Sequence, residues 1–286
     1  MWQRIVNMRS QYQLIELFYD PETRHIKLEL NTCLQFHSAD EYRYHELAVH
    51  SGLIIAEQEP KKVLILGGGD GLACREALKF AEKVTVVDID PDVTKLATEN
   101  ELITALNQSA FKDERVKIYN KDAYEWIKEC RKHKYDIIFA DYPDPSSPVL
   151  DKLFSFEHYK EMRRILKPNG VLVVQSAGAL MLPFMANVGV KLREVGFKWA
   201  IPLKVEMIDG IQGFWLATDA ETIKPKWGRL EDIKTKAFDK HMFLSSASWG
   251  KDLRKALKKG NAKDNAYDMY VYSLAWTKYL GGKLWQ

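Results

Sequence analysis

The sequence predicts an α/β protein with a mostly parallel sheet covered by helices on both faces. Three observations carry that prediction. From Lys62 to about Lys224, strand and helix patterns alternate, and such alternation builds a parallel sheet with helical crossovers. A glycine turn, Gly67 to Gly71, sits between the first apolar strand of that region and its helix, where glycines let the backbone turn tightly and approach a ligand. Aspartates then fall at the carboxyl ends of successive strands, the edge of an open α/β sheet where ligands bind.

Taken in order, residues 1 to about 40 read as β-rich. "YQLIELFYD", the turn "PETR" and "HIKLELNTCLQF" form a hairpin pattern. "DEYRYHELAVHSGLIIAE" shifts to helical spacing. "VLILGG" is a strand, and "GLACREALKF" a helix. "KVTVVDID" is a strand, and "PDVTKLATENELI" a helix opened by a proline suited to a first turn. "RVKIYN" and "AYEWIKECRKH" repeat the pair. "YDIIFAD" is a buried strand that runs into a proline-broken loop, followed by the helix "SFEHYKEMRRIL", the turn "KPNG" and the strand "VLVVQS". "LMLPFMANVGVKLREVG" is mostly helix, and "WAIPLKVEM" and "GFWLAT" are the last strands. Beyond them the signal weakens. "KDLRKALKKGNAKD" reads as a solvated basic helix face, and the aromatic tail "YDMYVYSLAWTKYLGGKLW" as a packing element. The expected division is an N-terminal β-hairpin domain at residues 1–45, a catalytic domain at 46–225 and a C-terminal extension at 226–286.

Composition narrows the function. The 286 residues, 46% apolar and 12% aromatic, suffice for one large domain or a large and a small one. A net charge of +3 is too weak a bias to imply nucleic acid. The three cysteines, Cys33, Cys74 and Cys130, are far apart and lack metal-ligand or redox spacing, which fits a reducing compartment. The start lacks the apolar core of a signal peptide, and no run is long enough to span a bilayer. The expectation is a cytoplasmic protein without a membrane or nucleic-acid partner.

The glycine turn is followed by Asp88, 21 positions after Gly67, at the end of the next strand. An acid there can accept both hydroxyls of a ribose, pointing to a nucleoside ligand. Asp70, inside the turn, would repel a pyrophosphate and asks instead for a cation. Asp122 can accept from an adenine amine, or equally cap the helix "AYEWIKEC". Asp70, Asp88, Asp122, Asp141 and Asp144, with Asp90 close by, make one negative cleft on a nearly neutral protein. Like charges at that range call for a cationic guest. They are spread over four strands, too widely for a hard metal ion, so no metal is expected. A nucleoside with a positive centre beside a polyamine fits the spread.

"YRYHELAVH", "VLILGGGDGLACREALKF", "VTVVDIDPDVTKLA", "KDAYEW", "YDIIFADYPDP", "LFSFEHYKEMRRILKPNGVLVVQS" and "QGFWLA" resemble successive blocks of the spermidine/spermine synthase family, the polyamine aminopropyltransferases. The resemblance runs from about Gln13 to about Thr218. It implies a methyltransferase-like (Rossmann-like) sheet behind a small N-terminal β domain. It also implies decarboxylated S-adenosylmethionine as aminopropyl donor, a co-substrate rather than a prosthetic group, and a polyamine acceptor with putrescine leading. A homodimer or homotetramer is expected.

By the resemblance, Asp141 is the base and anchor for the attacking amine, and Asp144 holds the acceptor. Asp70 lies near the donor's ammonium, Asp88 on its ribose and Asp122 on its adenine. The turn glycines Gly67 and Gly69 line the donor site. Tyr44 lines the acceptor site, while His45, Gln13 and Gln175 match polar positions on the donor side, Gln175 reaching the amine as well. Two departures stand out. Tyr142 and Pro143 replace the usual Ser or Thr, and Met207 and Ile208 replace an aromatic–proline pair, so the acceptor pocket has changed there. A methyltransferase using the intact cofactor is the main rival. Asp70 discriminates, because it would repel that cofactor's carboxylate. A silent nucleoside-binding protein is the other rival, against which Asp141 and the glycine turn are both retained.

Overall fold

The structure is a computed structural model that describes the backbone of residues 1–284 and the side chains of residues 1–275. The end of the aromatic tail, residues 276–286, lies outside the described side chains. Strands β1 (Gln3–Arg9), β2 (Leu14–Tyr19), β3 (Ile26–Leu30) and β4 (Cys33–His37) form an antiparallel meander in chain order. Helix α1 (Glu41–Ile55) leads into the main sheet. Its strands are β5 (Lys62–Gly67), β6 (Lys83–Asp88), β7 (Val116–Asn120), β8 (Tyr135–Asp141), β9 (Leu166–Gly178), β10 (Trp199–Met207) and β11 (Gly210–Thr218). The order across the sheet is β10-β11-β9-β8-β5-β6-β7. β5 through β9 run parallel, and β11 is antiparallel to both of its neighbours. This is the methyltransferase-like order. It reverses between β5 and β8, and a crevice opens at such a switch point beyond the carboxyl ends of the strands.

The crossover helices are α2 (Leu72–Ala77), α3 (Pro91–Glu99), α4 (Glu101–Leu106), α5 (Ala123–Trp126), α6 (Phe156–Ile165) and α7 (Leu182–Glu194). The sequence reads α3 and α4 as one helix. They separate at Asn100, whose backbone turns extended and whose Oδ1 accepts from Leu102 N and Ile103 N to cap the second piece. "KPNG" reads as a turn and forms a loop-out within β9. Tyr135 pairs with Leu166 and Ile137 with Val171, so the residues between them bulge, with Asn169 at φ 60°.

Side-chain alternation along the strands builds two cores. Val63 and Ile65, Ile137 and Phe139, and Val171 and Val173 face one side, where α1, α2, α3 and the N-terminal sheet pack. Leu64 and Leu66, Ile138 and Ala140, and Leu172 and Val174 face the other, against α5, α6 and α7. The same parity continues past the end of β8. Asp141 falls on the α1 side and Tyr142 on the opposite core. A slip of one residue would exchange them.

After β11 the chain straps across α1. Arg229 Nη1 donates to Leu53 O and Ala56 O, both at 2.7 Å, and the buried Glu46 carboxylate accepts from Lys236 N, Ala237 N and Phe238 N. Helix α8 (Lys240–Ser246) joins the first core through Phe243. Trp249 Nε1 then donates to Pro202 O on β10 at the sheet edge, and the chain passes to the second face. There α9 (Lys251–Lys259) buries Leu253 and exposes its lysines, and α10 (Ala266–Leu284) buries Ala266. Among the described residues no helix is long and apolar enough to cross a membrane.

Candidate active site

Two of the glycines are flush against aspartates of the crevice. Gly67 takes φ +85°, and a Cβ there would stand 2.0 Å from the Asp141 carbonyl oxygen. A Cβ on Gly69 would stand 2.6 Å from Asp88 Oδ2. The turn between β5 and α2 therefore lies directly on the ends of β8 and β6. Asp88 accepts from Asp90 N at 2.8 Å. Burial pushes its carboxyl up to about 6, against the pull of nearby backbone N–H groups, and the Asp90 charge adds to the rise. Asp70 is buried in the turn. Its Oδ1 accepts from Leu72 N at 2.9 Å, and burial raises its carboxyl above the usual range.

Helix α1 places Glu41, Tyr44 and His45 on one face by their i, i+3 and i+4 spacing. The Tyr44 hydroxyl donates to Asp141 Oδ1 at 2.6 Å, and its ring packs on Phe214 at 4.8 Å between centroids. Burial, then the charges of Asp141, Asp144 and Asp70, holds the phenol well above its ordinary value. Tyr44 thus stands among all three carboxylates. Asp141 is half-buried at the end of β8. Loss of hydration pushes its carboxyl up to about 6, although the nearby His45 and the Tyr44 hydrogen bond pull it down. His45 is buried, its Nδ1 3.0 Å from Glu41 Oε2 and 2.7 Å from Glu41 O. Burial opposes its charge, but Glu41, Asp70 and Asp141 outweigh that and raise it to about 9.

The loop after β8 carries Asp144 back over the sheet. Asp144 Oδ1 accepts from Gln175 Nε2 at 3.0 Å, and the Tyr270 phenol of α10 stands beside the same carboxylate and favours its charged form. Burial raises the Asp144 carboxyl in spite of both. Gln175 Oε1 is buried and has no partner among the described residues. Tyr142, at one of the two departures, turns away from the crevice. Its hydroxyl is hydrogen-bonded to His158 Nε2 at 2.8 Å, and burial lowers that imidazole to about 3, which keeps it neutral. It anchors the base of the loop. At the other departure, Ile208 sits in the turn between β10 and β11 and donates its N–H to Asp40 Oδ2 at 2.6 Å.

The structure therefore brings Asp70, Asp141, Asp144, Tyr44, His45 and Gln175 together around the carboxyl ends of β5, β8 and β9. Gly67, Gly69 and Asp88 lie along the same rim. Two residues stand differently. Asp122 caps α5 through Tyr124 N at 2.9 Å and pairs with Lys152 Nζ at 2.6 Å, which lowers its carboxyl in spite of partial burial. Gln13 donates its Nε2 to Asp90 Oδ2 at 2.8 Å, next to Ser10 Oγ at 2.6 Å on the same oxygen. That contact fastens the N-terminal sheet to the end of β6.

Three participants escaped the sequence reading. Glu41 holds His45 and also accepts from Arg75 Nη1 and Nη2, each at 2.9 Å, and its i, i+4 spacing to His45 was the available signal. Asn107 Nδ2 donates to Asp70 O at 2.9 Å, pinning the turn. Tyr270 left no local signal at all.

The family model for the spermine/spermidine synthase domain matches residues 41–218. The polyamine aminopropyltransferase of Oceanobacillus iheyensis is 43% identical over 175 residues, 60% of this chain and 33% of the relative. Polyamine aminopropyltransferase 1 of Streptomyces coelicolor is 46% identical over 160 residues, 55% of this chain and 29% of the relative. The chain thus spans about a third of the length of these curated relatives. The crystal structure of spermidine synthase from Thermotoga maritima superposes with a TM-score of 0.80 at 24% identity, covering 90% of this chain and 88% of that one. At that identity the likeness speaks for the fold.

Proposed function

The chain belongs to the spermine/spermidine synthase family, and from that premise we propose that it transfers an aminopropyl group from decarboxylated S-adenosylmethionine to an amine. Putrescine is the leading acceptor, with spermidine and methylthioadenosine as products. The observation that carries this reading is the gathering of Asp70, Asp141 and Asp144 about Tyr44 in one crevice. Carboxylates whose charge burial disfavours call for cations, and both substrates of such a reaction are cationic.

In this reading Asp88 holds the donor's ribose from the end of β6, and Gly67 and Gly69 let the backbone lie against the nucleoside. Asp70 faces the donor's ammonium and would repel the carboxylate of the intact cofactor. Asp122 and Gln13 serve the donor side from the rim. For Asp122 the adenine contact uses whatever its cap and Lys152 leave free, and Gln13 acts through Asp90. The acceptor's far ammonium is gripped by Asp144 and the unpartnered Gln175 Oε1. Residues 46–225 carry this chemistry together with Tyr44 and His45, because the expected boundary at 45/46 falls inside α1; the rest of residues 1–45 braces the rim, and a homodimer or homotetramer is the expected assembly.

The reacting amine must lose a proton before its lone pair can attack. An ordinary alkylammonium has a pKa of about 10.4. Asp141, pushed up to about 6, is a stronger base than a free carboxylate. His45, held protonated to about 9, disfavours a second cation beside it and lowers the amine's own pKa. Both shifts narrow the gap the proton must cross to Asp141. The lone pair then forms the new C–N bond at the methylene next to the sulfonium. The C–S pair returns to sulfur, leaving a neutral thioether. Alignment of the two substrates supplies up to about 7–11 kcal/mol in favourable model systems.

The test is incubation of the protein with the decarboxylated donor and a panel of amines, read by mass spectrometry. The expected product is an amine carrying one added aminopropyl group, with a diamine preferred over butylamine. Methyl transfer from the intact cofactor, with no aminopropyl product from the decarboxylated one, would overturn the reading.

A further inference from the structure

Tyr270 lies outside the matched family domain, 41–218, yet its phenol stands beside Asp144, whose charge, after burial, raises it above its ordinary value. The segment that bears it is fastened to the surrounding wall at several points. Asp151, on the loop that follows Asp144, accepts from Ala266 N and from Tyr267 N, the latter at 3.0 Å, and so caps α10. Phe184 N at the start of α7 donates to Ser273 Oγ at 3.2 Å. Asn187 Nδ2 donates to Asn261 O and Asp264 O at 3.2 and 3.0 Å. The Tyr270 ring stands edge-on to Phe184, with centroids 6.0 Å apart. Phe184 meets Phe154 at 5.4 Å, and Phe154 meets Tyr142, the neighbour of Asp141, at 6.2 Å. A continuous aromatic row therefore ties α10 to the end of β8, which carries Asp141, and to the loop behind it, which carries Asp144.

The chemistry of the contact matters as much as its place. Two neutral groups face Asp144: Gln175 Nε2 donates to it at 3.0 Å, and the Tyr270 hydroxyl stands beside it. Neutral donors orient a carboxylate without cancelling its charge, whereas a Lys or Arg would pair with it and leave nothing for a ligand. The adjacent Gln175 Oε1 is still unpartnered. Meanwhile the turn at Met207 and Ile208 lacks the aromatic–proline pair expected there, and Ile208 is 67% exposed.

We propose, resting on the aminopropyl-transfer reading, that α10 forms the far wall of the acceptor site and that Tyr270 positions Asp144 to hold the ammonium remote from the reacting nitrogen. Tyr270 is a positioning residue, and its effect belongs to acceptor binding. It also makes the C-terminal extension part of the site in place of the missing aromatic at the β10–β11 turn.

The test uses the full chain with Tyr270→Phe, which keeps the ring and removes the hydroxyl. A hydrogen bond to a charged group is worth enough to change affinity by about ten- to hundredfold. The KM for putrescine is expected to rise by about tenfold or more, with kcat and the KM for the donor within about twofold of wild type. Butylamine, which has no second ammonium, should show the same kcat/KM with both proteins. Tyr270→Ala, which also removes the wall, should shift preference from putrescine toward spermidine. Equal effects of Tyr270→Phe on putrescine and butylamine, or none on either, overturn the proposal while leaving the activity standing. A wild-type protein that aminopropylates no amine overturns the reading of the site and this proposal with it.

Discussion

In the proposed transfer Asp141 accepts a proton, and the burial that makes it basic enough to do so also costs the fold stability. Its carboxyl is pushed up to about 6, so the fold favours the protonated form. The sign for stability follows: this contribution is present below the ordinary value of 3.8 and lost as pH rises through about 6. Removing the charge should therefore help the ligand-free protein at neutral pH and abolish the chemistry. Asp141→Asn is expected to melt no lower than wild type at pH 8 in calorimetry. Its kcat/KM should fall by about 10²–10⁴-fold. In the wild type, kcat/KM for the amine should rise as pH passes through about 6, and that limb should vanish in the variant. A variant with more than about a tenth of the wild-type rate would remove Asp141 from the role of base.

At the scale of elements, α1 and α2 are joined by a buried ionic chain rather than by apolar contact alone. Glu41 holds His45 and Arg75, Arg75 Nε donates to Glu76 at 2.8 Å, and Glu76 meets His50 at 2.7 Å and Lys79 at 2.6 Å. Glu41, His45, Arg75, Glu76 and His50 are all buried. Such a chain is costly to break at one link, because the remaining charges stay buried without partners. Glu41→Gln should cost about 3–5 kcal/mol, read by denaturant unfolding. The pH dependence has a definite sign. His45 is raised from 6.5 to about 9, so its contribution is complete below 6.5 and lost as pH climbs through about 9. Glu41 is depressed to about 2, so its contribution is complete above 4.5 and lost as pH falls toward 2. The wild-type melting temperature should decline between pH 6.5 and 9, and the Glu41→Gln variant should lack that decline. An identical decline in both proteins would assign it to other groups.

At the scale of the molecule, the C-terminal extension is structural as well as local to the site. It straps α1, seals the β10 edge and covers α7 on the opposite face. A chain ending at residue 225 would leave the buried Glu46 carboxylate without its three backbone donors. It would also uncover the surfaces that Phe238, Phe243 and Leu253 now fill. Several buried apolar side chains are worth roughly 1.5–3 kcal/mol each, against a total stability of about 5–15 kcal/mol. The shortened chain is expected to lose its cooperative thermal transition. A shortened chain with an unchanged melting temperature would make the extension an appendage.

Local pattern by itself determined the sheet, its helices and the aspartates along its rim. Period-two alternation assigns Asp141 and Tyr142 to opposite faces of β8 as soon as Phe139 and Ala140 are assigned. The glycine turn announces a close approach of backbone to a neighbouring strand, and Asp88 and Asp141 fill the space a Cβ would need. The rest was decided by tertiary structure. Gln13 reaching Asp90, Lys152 pairing with Asp122, and Tyr270 closing on Asp144 join segments far apart along the chain. Such contacts have no period and no spacing to betray them. Residue type also misleads there: Tyr270 reads as one more aromatic in an aromatic helix, and only its position against Asp144 distinguishes it. Short-range order is written in the spacing of residues, because helix and strand repeat on a fixed period. The identity of a distant hydrogen-bond partner is settled only when the cores close and a buried polar group must be satisfied by whatever the packing brings to it.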